Sequence, residues 1–345
     1  MPDAIKCVVW DLDETLWQGT VLEGDRVVVP ERNRDLVRRF DAHGVLQSVA
    51  SRNDADVVLP ELAATGLQEY FLYPMVGWSA KSASVRAIAA ELNIATDSLL
   101  FVDDSEFERA EVAAELPEVR CVAPEELHEL VARGELLATA PTADAIQRRP
   151  RYQAEQRRRE HEKDFAGPAE EFLRSLDMRL TVADATTADL ARAAELTQRT
   201  HQLNTTGITF DEQALAELIE DPGHRVLVAR LTDRFGEYGT IGLVVVQTSE
   251  VDWTLRLLLM SCRVMGRNIG TAVVGAVTAL AREAGAGLLA HFRPTDRNRQ
   301  MRLTYRLLGF EVAEKSGDLV VFRLPGTTDV PIPGYVALTV PATTP

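Results

Sequence analysis

The stretch "VVWDLDETLW", residues 8–17, constrains this chain more than any other. An apolar run reads as a strand buried on both faces, and it ends in Asp11 and Asp13 with one residue between them. Carboxylates at the tip of a buried strand are costly without partners, so the fold must bring partners to them. "IKCVVW" reads as that strand, "VLQSVAS" as a second, "SLLFVDD" as a third and "VRCVA" as a fourth. Between them, "PERNRDLVRRFDAHG" groups Leu36, Val37 and Phe40 and stops at Gly44. "KSASVRAIAAELNI" sets Val85, Ile88 and Leu92 on one helical face. Buried strands alternating with helices predict a parallel α/β sheet. "WDLD", "ASRND" and "VDD" each put polar residues after the last apolar one, at the carboxyl edge where open parallel sheets bind ligands.

The 345 residues suit two domains, and 46% hydrophobic against 26% charged residues allows each a core. The composition shifts at "PTADAIQRRPRYQAEQRRREHEKDFAG". The expected order is a parallel-sheet domain over 1–140, a charged helical connector over 141–170, a second α/β domain over 171–325 and a loosely packed Pro/Thr-rich tail over 326–345. In the second domain "RLTVADATTADLARAAELTQRT" reads as strand, turn and helix, and "HRVLVARLTD", "GTIGLVVVQTS" and "TLRLLLMSCRVM" as a meander. A long helix follows at "GTAVVGAVTALAREAGA", then a strand "GLLAHFRP" and a helix near "RQMRLTYRLLGF". The connector's Arg148, Arg149, Arg151, Arg157, Arg158 and Arg159 are either a solvated face balanced by Glu155, Glu160 and Glu162 or a docking strip for an acidic partner.

A net charge of -15 argues against a nucleic-acid binder. No apolar run reaches membrane-spanning length and "MPDAIKCVVW" lacks a signal-peptide core, so the expectation is a soluble, cytoplasmic protein with no membrane partner. Cys7, Cys121 and Cys262 are too few and scattered for a disulfide framework or a zinc site. Cys7 and Cys121 fall in buried strands, while Cys262, near Arg263 and Arg267, is a candidate thiol.

A single Asp at a strand end is often a turn former or a helix cap. Here four features occur in order: D-x-D-x-T (Asp11, Asp13, Thr15), Ser51 after the second strand, Lys81 opening a helix, and Asp103-Asp104 after the third strand. Each answers a need of phosphoryl transfer. One carboxylate attacks phosphorus, and a second, two residues on, exchanges protons with the leaving oxygen and water. A hydroxyl and an ammonium hold the phosphoryl oxygens. Further carboxylates take Mg²⁺. Thr15, Arg52 and Asn53, beside these groups, are candidates for binding the phosphate or substrate.

The set resembles the haloacid dehalogenase superfamily. That resemblance implies Asp11 as nucleophile and metal ligand, Asp13 as general acid/base and metal-site member, Ser51 and Lys81 as phosphate holders, and Asp103 with Asp104 completing the Mg²⁺ site. "VVWDLDETLWQGTVLEGD", "WSAKSASVRAIAAELNI", "LLFVDDSEFERAEVAAELPEV", "THQLNTTG" and "SCRVMGRNIG" together resemble the FkbH-like proteins of polyketide assembly lines, over roughly residues 5 to 323. This implies a Rossmann-like haloacid dehalogenase domain followed by a GNAT-like acyltransferase domain. The implied reaction takes a glyceryl unit from bisphosphoglycerate, removes phosphate and loads the unit on an acyl carrier protein. Two simpler functions stand beside it: a small-molecule phosphatase, or a carrier-binding module without transfer chemistry.

Many such relatives carry a Cys-Ser pair after the second strand, and here Ala50 precedes Ser51. Either Ala50 is an engineered replacement, or the carrier thiol attacks the acyl phosphate directly, or the chain is a plain phosphatase or acts on another substrate. The GNAT pattern R/Q-x-x-G-x-G/A is matched by Arg263 and Gly266, Arg267 follows, and Asn268 stands at the last position instead of Gly or Ala. The resemblance implies a groove for the carrier arm lined by Arg263, Gly266, Arg267, Asn298 and Tyr305. Tyr305 either protonates a leaving thiolate or belongs to the core. His201, Gln202 and Asn204 either face that groove or cap a loop.

Overall fold

β1 (Cys7–Trp10), the strand that opens the aspartate motif, is fully buried at the centre of a five-stranded sheet. The structure, a computed structural model, describes residues 5–137, 146–200 and 202–340. β1 pairs in parallel with β2 (Leu46–Ser51) on one side and β4 (Leu99–Val102) on the other. β3 (Met75–Val76) and β5 (Arg120–Val122) complete the order β3-β2-β1-β4-β5, all parallel. The order reverses beside β1, so a crevice opens at its carboxyl end, the place where such sheets receive ligands. Side chains alternate along β1. Val8 and Trp10 join Leu36, Phe40 and Leu127 in one apolar layer, and Cys7 and Val9 join Val85, Ile88 and Val112 in the other. The helices are α1 (Glu31–Ala42), α2 (Ala55–Ala64), α3 (Lys81–Leu92), α4 (Glu106–Glu115) and α5 (Pro124–Ala132). β3 is only two residues long, too short to leave a periodic signal in sequence.

The chain divides between Arg157 and Arg158 into two units. The division falls inside a helix, α6 (Arg148–Asp164), where the sequence suggested a separate connector. Positions 138–145 of that region lie outside the described residues. Neither expected role fits the connector's arginines as a group, because several are internal anchors. In the first unit Arg149 pairs with Asp41 at 2.8 Å and Glu69 at 3.0 Å, and Arg148 donates to the Gly44 carbonyl at 2.8 Å. In the second unit Arg158 is 1% exposed, pairs with Asp233 at 2.6 Å and stacks 3.9 Å from the Tyr238 ring centroid. Asp233 also accepts from the Tyr238 hydroxyl and from the Phe235 and Gly236 amides, so the buried pair is fully hydrogen-bonded.

The second unit is built on a mixed eight-stranded sheet. α7 (Ala169–Ser175), β6 (Met178–Asp184), α8 (Leu190–Arg199) and α9 (Glu212–Glu220) precede an antiparallel meander of β7 (His224–Asp233), β8 (Gly236–Gln247) and β9 (Asp252–Met260). α10 (Ile269–Glu283) then crosses to β10 (Gly287–Phe292), parallel to β9. α11 (Arg299–Leu307), β11 (Glu311–Ser316) and β12 (Leu319–Leu324) follow. The Pro/Thr-rich segment is not loose as far as residue 340. β13 (Val336–Thr339) pairs in parallel with β6 and buries Val336, and Arg282 holds Asp329 at 2.7 Å. β6 would otherwise be an open edge, and the tail covers it. Residues 341–345 lie outside the described residues. Both units are thus α/β, one with a wholly parallel sheet and one with a mixed sheet. Among the described residues no helix is long and apolar enough to cross a membrane.

Removing one member of a buried ion pair strands the other charge. Arg158→Ala should therefore cost about 3–5 kcal/mol in urea unfolding. Arg174→Ala, which removes an exposed pair with Glu170, should change stability by less than about 0.5 kcal/mol.

Candidate active site

The site begins where β1 stops. Asp11 N donates to Val102 O at 2.9 Å, the last bond toward β4, and the chain then turns. The Leu12 carbonyl accepts from the amides of Thr15, Leu16 and Trp17. Glu14 takes the left-handed conformation with φ 53°. Buried Asn33 on α1 clamps the turn by donating to the carbonyls of Thr15 at 3.0 Å and Leu16 at 2.9 Å.

Lys81, first residue of α3, reaches this turn and is 3% exposed. Its ammonium donates to Asp11 Oδ1 and to the Ala50 carbonyl at 2.8 Å, and lies 3.0 Å from Asp103 Oδ2. Asp103 is 1% exposed. Its Oδ1 accepts from the Ser105 amide at 2.9 Å, while its buried Oδ2 is paired with the Lys81 ammonium. The Thr15 hydroxyl donates to Asp104 Oδ1 at 3.1 Å and accepts from the Asp104 amide at 2.9 Å. Arg109 on α4 donates to the carbonyls of Asp103 at 2.6 Å and Asp104 at 2.8 Å and fixes their loop. Glu111 accepts from the Ser82 amide at 3.0 Å and from the Ser82 hydroxyl, which ties α4 to the start of α3.

One carboxylate oxygen each from Asp11, Asp103 and Asp104 lie within 4.8 Å of one another. Burial pushes the Asp11 carboxyl up to about 7, with Lys81 opposing and Asp103 adding to the rise. Asp103 is raised in the same way, burial first and Lys81 opposing. One ammonium therefore faces two buried carboxyl groups, with a third, Asp104, near them. Converging carboxylate oxygens are the hard donor set that Mg²⁺ takes, so Asp11, Asp103 and Asp104 would fit as its holders. When bound, such an ion offsets charge on phosphoryl oxygens.

Three of the expected residues have partners within the protein here. Asp13 is not in the cation group. Once the chain has turned, its Oδ1 accepts from Trp17 Nε1 at 2.8 Å and the Val21 amide at 3.3 Å, and its Oδ2 from Asn53 Nδ2 at 2.9 Å. Asn53, expected on the substrate, instead orients Asp13. Arg52 pairs with Glu108 at 2.7 Å. Ser51 ends β2, buried, and Thr15 braces Asp104. Asn33, Arg109 and Glu111 carry no motif signal, because their partners lie far away in sequence or are backbone atoms. Ala50 packs in the layer that holds Val9, Val85 and Ile88. Cys7 occupies the same layer, and burial drives its thiol far above the usual range.

In the second unit Arg263, Gly266 and Arg267 share the turn before α10. Arg263 Nε lies 3.4 Å from Ser261 Oγ, Gly266 has φ 79°, and Arg267 donates to the Arg263 carbonyl with its guanidinium 5.4 Å from the Tyr238 ring centroid. Asn268 adopts φ 55°; asparagine is among the few residues besides glycine that tolerate this conformation. Asn298 and Tyr305 do not line a groove. Asn298 is buried, accepts from the Thr295 amide at 2.8 Å and donates to the carbonyls of Asn204 at 3.0 Å and Arg293 at 2.8 Å. Tyr305 is buried against Phe310 and Phe322, and burial raises its phenol far above the usual range, the Thr205 side chain opposing.

The β9–β10 ladder ends at Leu255 and Ala290. Beyond it the free edge of β9 is taken by the chain itself. The Thr205 amide donates to Leu258 O at 3.1 Å, the Met260 amide to Leu203 O at 2.9 Å, and the Arg293 amide to Thr205 O at 2.9 Å. Asn204 closes this loop by accepting from the Thr206 and Gly207 amides. Gln202 is exposed, and His201 lies outside the described residues. Cys262 is exposed, Cys7 buried and Cys121 half-buried.

No protein-family model and no curated protein matches the chain. It is similar to a solved N-terminal part of a Bacteroides fragilis protein that contains a phosphatase domain complexed with Mg, at 25% identity and TM-score 0.37. That match covers 40% of this chain and 42% of the other, less than half of its length. It is also similar to a ribosomal-protein alanine N-acetyltransferase from Escherichia coli, at 18% identity and TM-score 0.34 over 42% of this chain and 93% of that one. A third is an N-acetyltransferase from Thermoplasma acidophilum in complex with coenzyme A, at 16% identity and TM-score 0.33 over 42% and 97%.

The raised Asp11 carboxyl makes the effect of a cation depend on pH. Between 3.8 and about 7 the folded chain keeps a proton that the unfolded chain releases, so folded-state stability without a cation falls as pH rises through that window. Mg²⁺ favours the ionised form. Its addition should raise the melting temperature more at about pH 8 than at about pH 5, read by thermal unfolding with and without chelator.

Proposed function

We propose that the first unit is a metal-dependent phosphoryl-transfer site, and that the chain performs the reaction of the FkbH-like proteins. That reaction dephosphorylates a bisphosphoglycerate-type acyl phosphate and transfers the glyceryl unit to an acyl carrier protein thiol, supplying a polyketide extender or starter unit. The observation that carries the reading is the Lys81 ammonium set between Asp11 and Asp103 at the carboxyl edge, with Asp104 beside them.

The residues divide the work as follows. Asp11 attacks phosphorus, and the bond to the leaving oxygen breaks as an aspartyl-phosphate forms. Asp13, steadied by Trp17, Val21 and Asn53, gives that oxygen a proton. Water then attacks phosphorus, giving up a proton to Asp13, and the bond to Asp11 breaks as phosphate leaves. Lys81 favours the ionised form of Asp11 against its burial and offsets charge on the phosphoryl oxygens. The acyl phosphate is itself activated, so the carrier thiolate attacks its carbonyl and phosphate leaves. This step needs no enzyme cysteine, in keeping with the methyl of Ala50 in the apolar layer.

A phosphatase without acyl transfer is the second reading. It is favoured by the internal use of Asn298 and Tyr305 and by the filled edge of β9.

Intact-mass measurement of a holo carrier protein, incubated with the chain, bisphosphoglycerate and Mg²⁺, separates the two. A gain of one glyceryl unit is expected; phosphate release with an unmodified carrier would establish the second reading. Asp11→Asn should lower phosphate release by at least about a hundredfold, and retained turnover would remove Asp11 as nucleophile. In Ala50→Cys the new thiol should share the burial of Cys7, so that only the exposed Cys262 reacts rapidly with a thiol reagent.

A further inference from the structure

The arginines of α6 are largely used inside the protein, and those of α11 are not. Met301 and Tyr305 turn into the core, so the helical period points Arg299, Leu303, Arg306 and Leu307 outward, with Arg302 on the flank. Leu303 is 51% exposed and Leu307 86%. Among the described residues Arg299, Arg302 and Arg306 make no ion pair, and Arg302 Nε has no hydrogen-bond partner. Arg293, just before the helix, has only a distant carboxylate, Asp318 at 3.8 Å. Two exposed leucines are ordinary by themselves. Set one turn apart among unpaired guanidinium groups, on a chain of net charge -15, they form a surface unlike its surroundings.

We propose that the outward face of α11 docks an acidic helix of the carrier protein; the choice of partner rests on the function proposed above. Arg299, Arg302 and Arg306 meet the carboxylates of that helix, and Leu303 and Leu307 cover its apolar side chains. Interfaces are built this way, with apolar centres and charged rims that steer the encounter. An extended polyanion such as nucleic acid or an anionic membrane would meet the repulsion of the whole acidic surface, whereas a compact acidic helix meets only this strip.

The test immobilises the full chain and presents each purified holo acyl carrier protein of the source genome in an optical binding assay. Arg299→Glu with Arg306→Glu, and separately Leu303→Ser with Leu307→Ser, are compared with Arg174→Glu as a remote control. One carrier should bind the wild type with an affinity that falls with salt. Each α11 double variant should weaken it at least about tenfold, with melting temperature and phosphate release unchanged, and the control should bind as the wild type does. Equal binding by wild type and both variants would overturn this surface and leave the carrier reading standing. Failure of the wild type to bind any carrier would overturn the partner and this docking together. Binding of phosphatidylglycerol vesicles or an RNA duplex through α11, with no carrier bound, would assign the face to a different ligand and overturn the proposal.

Discussion

The ammonium of Lys81 is what allows two buried carboxyl groups, Asp11 and Asp103, to share one rim of the sheet. Asp11 follows β1 and Asp103 follows β4, and the parallel pairing of those two strands brings the two acids together whatever their chemistry. Without Lys81 the two buried acids would face each other with no opposing charge, and both are already pushed upward by burial. The amine in turn is held by the Ala50 carbonyl and by the start of α3, which Glu111 ties to α4. Arg109 closes the system by holding the carbonyls of the Asp103–Asp104 loop. The converging carboxylate oxygens of Asp11, Asp103 and Asp104 are a donor set that a divalent cation would fit.

Asp13 belongs to a separate arrangement on the same turn. Its oxygens are occupied by donors from Trp17, Val21 and Asn53, so it is aimed by hydrogen bonds rather than shared with the cation group. Two acids with one residue between them thus have different surroundings, one beside the ammonium and one among neutral donors. Separate environments for neighbouring carboxyl groups are what an acid/base step and a nucleophilic step require.

The arginines of this acidic chain follow a comparable division. Arg158 is buried on Asp233 and Tyr238, and Arg149 is held by Asp41 and Glu69. In both places a carboxylate offsets the cost of desolvation. On α11 no such carboxylates are present, and the guanidinium groups stand beside exposed leucines. The edge of β9 shows a parallel economy of backbone groups, since Leu203–Thr205 satisfies amides and carbonyls that a parted pair of strands would leave open.

The alternating apolar runs and the polar residues at their ends determined the parallel sheet, its carboxyl-edge site and the participation of Asp11, Lys81 and Asp103–Asp104. Those signals are local, because strand and helix periods and end residues are written in consecutive positions. The meander and long helix of the second unit were legible for the same reason. Only the tertiary structure decided the roles of Asp13, Asn53 and Arg52, since each depends on a contact between distant segments such as Asn53 with Asp13 or Arg52 with Glu108. It also decided that Asn298 and Tyr305 face inward, that the Pro/Thr-rich segment becomes an edge strand, and which arginines are paired. A basic or polar residue looks the same in sequence whether its partner is water, a buried carboxylate or a backbone carbonyl; that choice is made by packing.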